Sequence, residues 1–209
     1  PYGQRLAREF PNSLTVSLTQ PARIWAEEIE VRADGLSFLL HIDSRSRQLT
    51  APLYGKYNLC NLLLALGGIA CLGLDPFDFL GGIPYLRLPE GRWEVVGHSP
   101  TVIVDYAHSP DSIEQVLKLA RQITKGQVIT VFGCNGNRDR EKRPIMSDKA
   151  SVYSDFVVLS SDNPAWEAPE AIAEEALPGI HAPYAVELDR EKAIELAIEK
   201  AGPDDMVLI

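Results

Sequence analysis

From residue 101 onward, short apolar segments alternate with longer amphipathic ones, and this alternation constrains the fold more than any other feature of the chain. Strands are predicted for residues 101–105, 128–132, 155–159, 184–187 and 205–209, and helices for residues 109–122, 141–153, 169–177 and 190–201. Apolar strands that alternate with amphipathic helices are typical of a parallel sheet covered on both faces. With right-handed crossovers, the pattern predicts a Rossmann-like, doubly wound α/β domain with a mainly parallel sheet.

The first ninety residues carry a different pattern. Strands with period-two alternation are predicted at 13–18, 23–32, 36–42 and 47–53, and Ala33-Asp34-Gly35 reads as a hairpin turn, so this part is expected to be antiparallel. A helix over 57–71 is apolar nearly all round and is expected to be buried. A second, short helix over 75–82 is capped by Asp75, with Pro76 at its first position.

A domain boundary is predicted near residue 90. Residues 84–91 are rich in Pro and Gly and separate the two patterns. We therefore expect one domain at 1–90 and a second at 91–209.

Charge and composition exclude several classes of protein. The formal net charge is −9, with acidic and basic residues interspersed, so neither a nucleic-acid nor a membrane-surface partner is expected. The longest apolar stretch, 59–74, is short for a membrane span and contains Gly67 and Gly68. The three cysteines lack metal-ligand spacing, and Cys60 and Cys71 are predicted to be reduced, buried thiols, as in a cytoplasmic protein.

Polar segments directly follow three of the predicted parallel strands, at 105–111, 133–143 and 160–165. Ligands bind beyond the carboxyl ends of the strands in open sheets of this kind. Asp105 can accept hydrogen bonds from ribose hydroxyls, and His108 can contact a base or a phosphate. The alternative is that Asp105 caps a turn and His108 is merely exposed.

The segment 133–143 is predicted to be an anion-binding loop between a buried strand and a helix. Gly133 and Gly136 permit close backbone approach, and the helix start offers unpaired N–H groups. Four cations, which can grip a carboxylate or phosphate, follow at Arg138, Arg140, Lys142 and Arg143. The alternative is a solvated charge run. The loop lacks the residue order of a Walker A motif.

Two further groups of polar residues leave their alternatives open. Asp162-Asn163-Pro164 is common turn chemistry and can be no more than a turn. Asn58 and Asn61 lie three residues apart on one helix face in an apolar surround, where their amides need partners. Backbone groups or an adenine edge can supply those partners.

The order of these motifs along the chain resembles that of the Mur ligase family, and within it that of the UDP-N-acetylmuramoyl-tripeptide synthetases. The resemblance covers most of the chain from about residue 50 onward. It rests on Tyr57-Asn58-Leu59-Cys60-Asn61-Leu62-Leu63-Leu64-Ala65, Gly91-Arg92-Trp93-Glu94, Asp105-Tyr106-Ala107-His108-Ser109-Pro110-Asp111, the segment 133–144 and Asp162-Asn163-Pro164.

The resemblance implies an ATP-dependent ligase of peptidoglycan synthesis in the cytoplasm. Its substrates would be UDP-N-acetylmuramoyl-L-alanyl-D-glutamate and a diamino acid, with ATP and Mg²⁺ as cofactors and a monomeric state. Residues 1–90 would be the antiparallel and helical end of a P-loop ATPase-type central domain, and 91–209 most of the C-terminal domain. The P-loop, the modified lysine that helps hold Mg²⁺ and a Gly-Lys-Gly-His-Glu segment after Ile209 would lie outside this chain. The fragment is therefore expected to be inactive alone, with neither a metal ligand nor a catalytic residue assigned in it.

Carried over by motif, the resemblance also assigns residues to ligands. Asn58 and Asn61 would hold adenine, while Arg92 and Asp105 would contact the nucleotide, Asp105 through ribose, with His108 close by. The assignments on the amino-acid side are Arg138 to the carboxylate of the incoming amino acid and Asp162 with Asn163 to its side-chain or amino pocket.

Two positions depart from the pattern of the family. Diaminopimelate-adding members usually carry arginine where this chain has Ala165, so the alanine favours a lysine-like substrate without a second carboxylate. Asn137 replaces the more usual aspartate. A non-catalytic subunit of a larger plastid assembly remains an alternative, whereas the Asp-Asn-Pro motif argues against folylpolyglutamate or cyanophycin synthetases.

Overall fold

A computed structural model describes residues 2–32 and 35–209. The chain divides into two compact units, the first ending at Leu88 and the second beginning at Pro89. This division lies inside the Pro- and Gly-rich segment 84–91. The assignment of the first unit to the end of a central ATP-binding domain stays a prediction.

The first unit contains helix α1 (Tyr2–Glu9) and a four-stranded sheet in the order β1 (Val16–Ser17), β2 (Ile24–Arg32), β3 (Gly35–Ile42) and β4 (Arg45–Ala51). Strands β2, β3 and β4 are antiparallel, as predicted. Strand β1 pairs in parallel with β2, so the expectation of a wholly antiparallel sheet is wrong for β1. Helix α1 was not predicted, and none of its residues is buried. Two residues of the predicted turn, 33 and 34, lie outside the described residues.

One face of helix α2 (Lys56–Cys71) packs on this sheet, followed by a 3-10 helix over Pro76–Tyr85. Leu59, Leu63 and Leu66 are buried, but Leu64 is 54% exposed. The prediction of burial all round is therefore wrong, because the sheet covers only one side of the helix. For the same reason Cys71, at the helix end, is exposed and Cys60 is half-buried, against the prediction of buried thiols.

The cap of the 3-10 helix is confirmed. The carboxylate of Asp75 accepts a hydrogen bond from the N–H of Phe77 at 3.0 Å, and Pro76 occupies the first position. The element extends three residues beyond the predicted end.

The second unit is a six-stranded sheet in the order β5-β6-β10-β7-β8-β9. All neighbouring strands are parallel except β5, which pairs with β6 in the antiparallel direction. The predicted mainly parallel α/β fold is confirmed, and β5 is an addition to it. The strands are β5 (Glu94–His98), β6 (Thr101–Val104), β7 (Val128–Phe132), β8 (Phe156–Leu159), β9 (Tyr184–Val186) and β10 (Met206–Leu208).

Helices cover both faces of this sheet, as predicted. They are α3 (Pro110–Ile123), α4 (Lys142–Tyr153), α5 (Pro169–Ala176), which runs into a 3-10 turn over Leu177–Gly179, and α6 (Arg190–Lys200). Helix α6 packs through Ala193 and Ala197 on one face, against Ile129 and Val207. Because side chains alternate along a strand, Thr130 points to the other face, where its hydroxyl contacts Ser154 at the end of α4.

The carboxyl ends of β6, β7, β8, β9 and β10 lie at one edge of the sheet, because these strands are parallel. Strand β10 lies between β6 and β7, so the chain skips one strand position as it passes from β6 through α3 to β7. The segments after these strands therefore meet where ligands bind in open α/β sheets. Among the residues that the structure describes, no helix is long and apolar enough to cross a membrane.

Candidate functional site

Asp105 immediately follows β6 and is half-buried. One of its carboxylate oxygens accepts a hydrogen bond from the backbone N–H of Trp93 at 2.9 Å. Burial raises the pKa of Asp105, although the N–H groups of Trp93 and Ala107 and the charge of Arg92 act in the opposite direction. The turn-capping alternative is thus realised in part, and the same hydrogen bond orients the carboxylate.

Beside this carboxylate, the ring of Tyr106 contacts both Arg92 and His108. The guanidinium of Arg92 lies 4.6 Å from the centre of the Tyr106 ring, and the His108 ring meets that ring edge-on at 4.8 Å. The Nδ1 atom of His108 lies 2.8 Å from the carbonyl oxygen of Tyr106. A carbonyl only accepts, so this contact assigns the proton to Nδ1 and leaves Nε2 for a ligand.

The N-terminus of α3 directly follows His108. Ser109 caps the helix by accepting from the N–H of Ser112, and the Ser112 hydroxyl accepts from the N–H of Ser109 in return. With Pro110 at its first position, the helix start is fixed as predicted, and it holds the 105–109 segment in place.

The loops after β7 and β8 are joined by backbone contacts. The N–H of Gly136 donates to the carbonyl of Asn163 at 2.8 Å, and the N–H of Asn137 donates to a carboxylate oxygen of Glu167 at 2.6 Å. A Cβ atom at Gly136 would collide with the carbonyl oxygen of Pro164, so glycine is required there. The two segments that the sequence singled out separately therefore form one structure.

A buried arginine stabilises the joined loops through several hydrogen bonds. Arg143 is 1% exposed, and both of its terminal nitrogens donate to the carboxylate of Glu167, at 2.9 and 3.1 Å. It also donates to Glu175 at 2.6 Å and to the carbonyl of Asn135 at 3.3 Å. The Arg143 guanidinium, aided by the N–H of Asn137, lowers the pKa of Glu167 to about 2.

Three of the four cations of this loop have acidic partners within the protein. Arg143 and Arg140 pair with Glu167 and Glu175, and Lys142 lies 3.7 Å from Asp139. Glu167 and Glu175 fold against the loop from later in the chain, which the local sequence does not reveal. The exposed Arg138 has no ion pair or hydrogen bond to any residue that the structure describes.

Two adjoining clefts open at this edge of the sheet. The first, of about 370 Å³, includes Asp105, His108, Asn135, Asp162, Asn163 and Arg190 in its lining. The second, of about 600 Å³, includes His108, Asn135, Arg138, Arg143 and Asn163. Four residues line both clefts, namely Tyr106, His108, Asn135 and Asn163, so a ligand that extends from one cleft into the other would pass them.

The structure thus brings together five residues that the sequence predicts for a site, namely Asp105, His108, Arg138, Asp162 and Asn163. Arg92 and Ala165 line neither cleft; Ala165 follows at the end of the β8 loop with a positive φ of 50°. The ligand roles of all seven stay predictions.

Asn58 and Asn61 belong to the first unit. The Asn58 amide donates to the carbonyl of Tyr54 at 2.8 Å, and the exposed Asn61 amide makes only a long contact of 3.4 Å with Asn58. A backbone carbonyl therefore satisfies part of the hydrogen-bonding capacity of these two amides, which is the first of the two alternatives that the sequence left open. Across residues 2–32 and 35–209, no group of three or more His, Cys, Asp or Glu side chains is arranged to hold a metal ion.

The sequence interpretation missed two residues that matter here. Glu167, in the loop after β8, accepts hydrogen bonds from Asn137 and Arg143 of the segment after β7, yet its only signal in the sequence is an acid shortly after a turn. Arg190 lines the first cleft from the start of α6. Its position just beyond the end of β9, at the same edge of the sheet, is a signal that identifies it.

Comparisons with known proteins agree with this architecture. The family model described as Mur ligase, glutamate ligase domain, matches residues 91–209. A UDP-N-acetylmuramoyl-L-alanyl-D-glutamate–2,6-diaminopimelate ligase of Thermosynechococcus vestitus is 41% identical over 100% of this chain and 44% of its own length. A ligase of the same name from Vibrio cholerae is 35% identical, over 99% of this chain and 43% of its own length. The chain thus spans less than half the length of these relatives.

Two solved structures share the fold. One, of a UDP-N-acetylmuramoyl-L-alanyl-D-glutamate–2,6-diaminopimelate ligase, has a TM-score of 0.60 and 36% identity, covering 94% of this chain and 41% of its own. The other, a pseudomurein peptide ligase type C from Methanothermus fervidus, has a TM-score of 0.76. At 20% identity, over 91% of this chain and 39% of its own, the second likeness concerns the fold alone.

Proposed function

The chain belongs to the Mur ligase family, and we propose that it is part of an ATP-dependent ligase that adds the third amino acid to UDP-N-acetylmuramoyl-L-alanyl-D-glutamate. The names of the relatives at 35–41% identity support this substrate. The observation that carries the proposal is the meeting of Asp105, His108, Arg138, Asp162 and Asn163 at two adjoining clefts.

The proposed reaction has two steps. An oxygen of the D-glutamyl carboxylate attacks the terminal phosphorus of ATP, and ADP leaves, which gives an acyl phosphate. The deprotonated amine of the incoming amino acid then attacks the acyl carbon, and inorganic phosphate leaves as the amide forms. Bound Mg²⁺ would neutralise charge on the phosphoryl group. In this reaction, the residues at the two clefts would bind and orient ATP and the incoming amino acid.

The nucleotide side of the site is formed by Asp105 and its neighbours. The N–H of Trp93 holds one oxygen of Asp105, so the carboxylate is oriented in the first cleft to accept from ribose hydroxyls. His108 presents Nε2 to the same ligand, and Arg92 lies on the other side of Tyr106. Asn58 and Asn61 are proposed for adenine.

The amino-acid side is formed by the joined loops after β7 and β8. Arg138 has no acidic partner in the described residues and can grip a carboxylate in bidentate fashion. Asp162 and Asn163 would receive the ammonium group or the side chain. Because the relatives are named 2,6-diaminopimelate ligases, we propose diaminopimelate as the incoming amino acid. Lysine is the second candidate, since Ala165 stands where an arginine would grip a second carboxylate.

A phosphate-release assay on the full-length protein tests this function. Release should require ATP, the UDP-N-acetylmuramoyl-dipeptide and an amino acid together, and diaminopimelate should give the higher kcat/KM. A higher value with lysine would establish the interpretation of Ala165 instead. No release with either amino acid would contradict the ligase proposal and favour a non-catalytic subunit.

A variant of Arg138 tests the assignment of the amino-acid side. Arg138→Ala should raise KM for the amino acid by roughly tenfold or more, since hydrogen bonds to charged groups are worth about 1.5–3 kcal/mol, while KM for ATP changes little. Equal rises in both KM values would contradict the assignment.

A further inference from the structure

Arg190 is the first residue of α6, and its side chain lines the first cleft together with Asp105, His108 and Asp162. The neighbouring Asp189 does not neutralise it. One oxygen of Asp189 caps the helix by accepting from the N–H groups of Glu191 and Lys192. The guanidinium therefore reaches the cleft from a rigid helix start.

No acidic partner is provided for Arg190 within residues 2–32 and 35–209. None of their carboxylate oxygens lies within 4.0 Å of its nitrogens, and its Nη1 atom is buried without a hydrogen-bond acceptor. Burial lowers the pKa of Arg190, and the charge of Asp162 opposes this effect from a greater distance. Arg143, by contrast, makes hydrogen bonds to two carboxylates and a carbonyl. A desolvated cation without a partner gains much when an anion arrives.

The charges of the cleft select among anions. Asp105, which is proposed for the uncharged ribose hydroxyls, and Asp162 line the same cleft as Arg190, so a phosphate with two negative charges bound at Arg190 itself would be repelled by two carboxylates. An amino-acid head group carries a carboxylate and an ammonium side by side. Arg190 can take the carboxylate while Asp162 takes the ammonium, which leaves each charge of the ligand paired.

The second cleft also contains an arginine without an acidic partner in the described residues. This arginine is Arg138, which lines the cleft. Because Asn163 and His108 line both clefts, a ligand that extends from one cleft into the other can offer one carboxylate to Arg190 and a second to Arg138.

We propose that Arg190 binds one carboxylate of the incoming amino acid, with Asp162 at the adjacent ammonium, while Arg138 binds the carboxylate at the other end. This inference rests on the proposed ligase function and adds to it a residue that determines specificity for a dicarboxylic diamino acid. It also supplies a cation for the second carboxylate in a chain that has alanine at position 165.

Kinetics of the full-length protein with diaminopimelate and with lysine test the inference. Arg190→Gln should raise KM for diaminopimelate at least tenfold, with KM for ATP and for the UDP-N-acetylmuramoyl-dipeptide within about twofold of wild type. KM for lysine, which has one carboxylate, should change by less than about threefold. Arg190→Lys keeps the charge without the bidentate geometry and should fall between wild type and Arg190→Gln.

The control is Lys192→Gln, a loss of positive charge on the same helix at a side chain that is 68% exposed, and it should leave all four KM values unchanged. Four results would overturn the inference: an unchanged KM for diaminopimelate, an equal rise for lysine, an equal rise for ATP, or a wild-type enzyme that uses lysine only. Failure of the ligase proposal looks different, because the wild-type protein would then release no phosphate with either amino acid. An unaltered KM for ATP shows that Arg190→Gln is folded.

Discussion

Replacement of Arg143 by methionine should loosen the structure that joins the loops after β7 and β8. Methionine fills a similar volume but leaves the carboxylates of Glu167 and Glu175 without their buried partner. Removing one member of a buried ion pair costs about 3–5 kcal/mol. Glu167 keeps the hydrogen bond from Asn137 and the ion pair with Arg140, and the Glu175 side chain is 35% exposed, so the lower end of this range applies, about 3 kcal/mol.

Hydrogen exchange measures this effect where it occurs. The N–H groups of Gly136 and Asn137 bond across the two loops, so their exchange reports opening of the joined structure. A loss of about 3 kcal/mol corresponds to roughly 150-fold faster exchange in a peptide that contains both amides. In the same variant, KM for the amino acid should rise because Arg138 and Asn163 are no longer held at a fixed separation.

Arg140→Met provides a matched control. Arg140 pairs with the same two carboxylates, at 3.0 and 3.2 Å, but its side chain is 64% exposed. Exposed ion pairs contribute less than about 1 kcal/mol, so exchange should accelerate by less than about fivefold. If Arg143→Met and Arg140→Met accelerate exchange equally, burial does not set the strength of this cluster, and the reasoning is refuted.

Three further predictions concern acid, glycine and thiols. The pKa of Glu167 is about 2, against a usual 4.5, so the stability that its carboxylate contributes is complete above pH 4.5 and is lost as the pH falls towards 2. In urea unfolding, the free energy of unfolding should therefore fall less between pH 5 and pH 3 in Glu167→Gln than in wild type. Gly136→Ala should raise KM for the amino acid and speed exchange of the 135–143 peptide, because a Cβ atom collides with Pro164; wild-type values would contradict the close approach. The exposed Cys71 should react first with a disulfide reagent at pH 8. Burial raises the pKa of Cys134 to about 11, so this thiol should react only on unfolding, and its early reaction would contradict its burial.

The sequence predicted the central strands of the second unit well because they are buried on both faces. All five residues of Val128–Phe132 are buried, and the structure has this strand with the predicted bounds. Strand β5 was missed because it lies at the edge of the sheet, where its residues are mostly exposed and a bulge interrupts the pairing. The position of β10 between β6 and β7 depends on tertiary packing, which periodicity does not encode.

That the predicted site residues lie together follows from their positions after the strands rather than from a sequence pattern. Asp105, Asp162 and Asn163 follow parallel strands, and parallel strands bring such residues to one edge whatever the loops contain. Burial of α2, in contrast, was overestimated, since an apolar helix pattern does not say how many neighbours will cover it.

Charged residues are where inference from sequence alone stops, because the role of a cation depends on partners that are distant along the chain. Arg138 and Arg143 lie five residues apart in one basic segment and look alike in the sequence. Arg143 is committed to Glu167, 24 residues away, whereas Arg138 has no partner in the described residues. Arg190 is distinguished by the same criterion, since no carboxylate of the described residues lies within 4.0 Å of its nitrogens at the cleft that it lines. A cation whose charge is already paired holds the loops in shape, and one whose charge is unpaired is available to a ligand. The division between structural and binding roles in this family member therefore follows from the placement of acids as much as from that of the arginines.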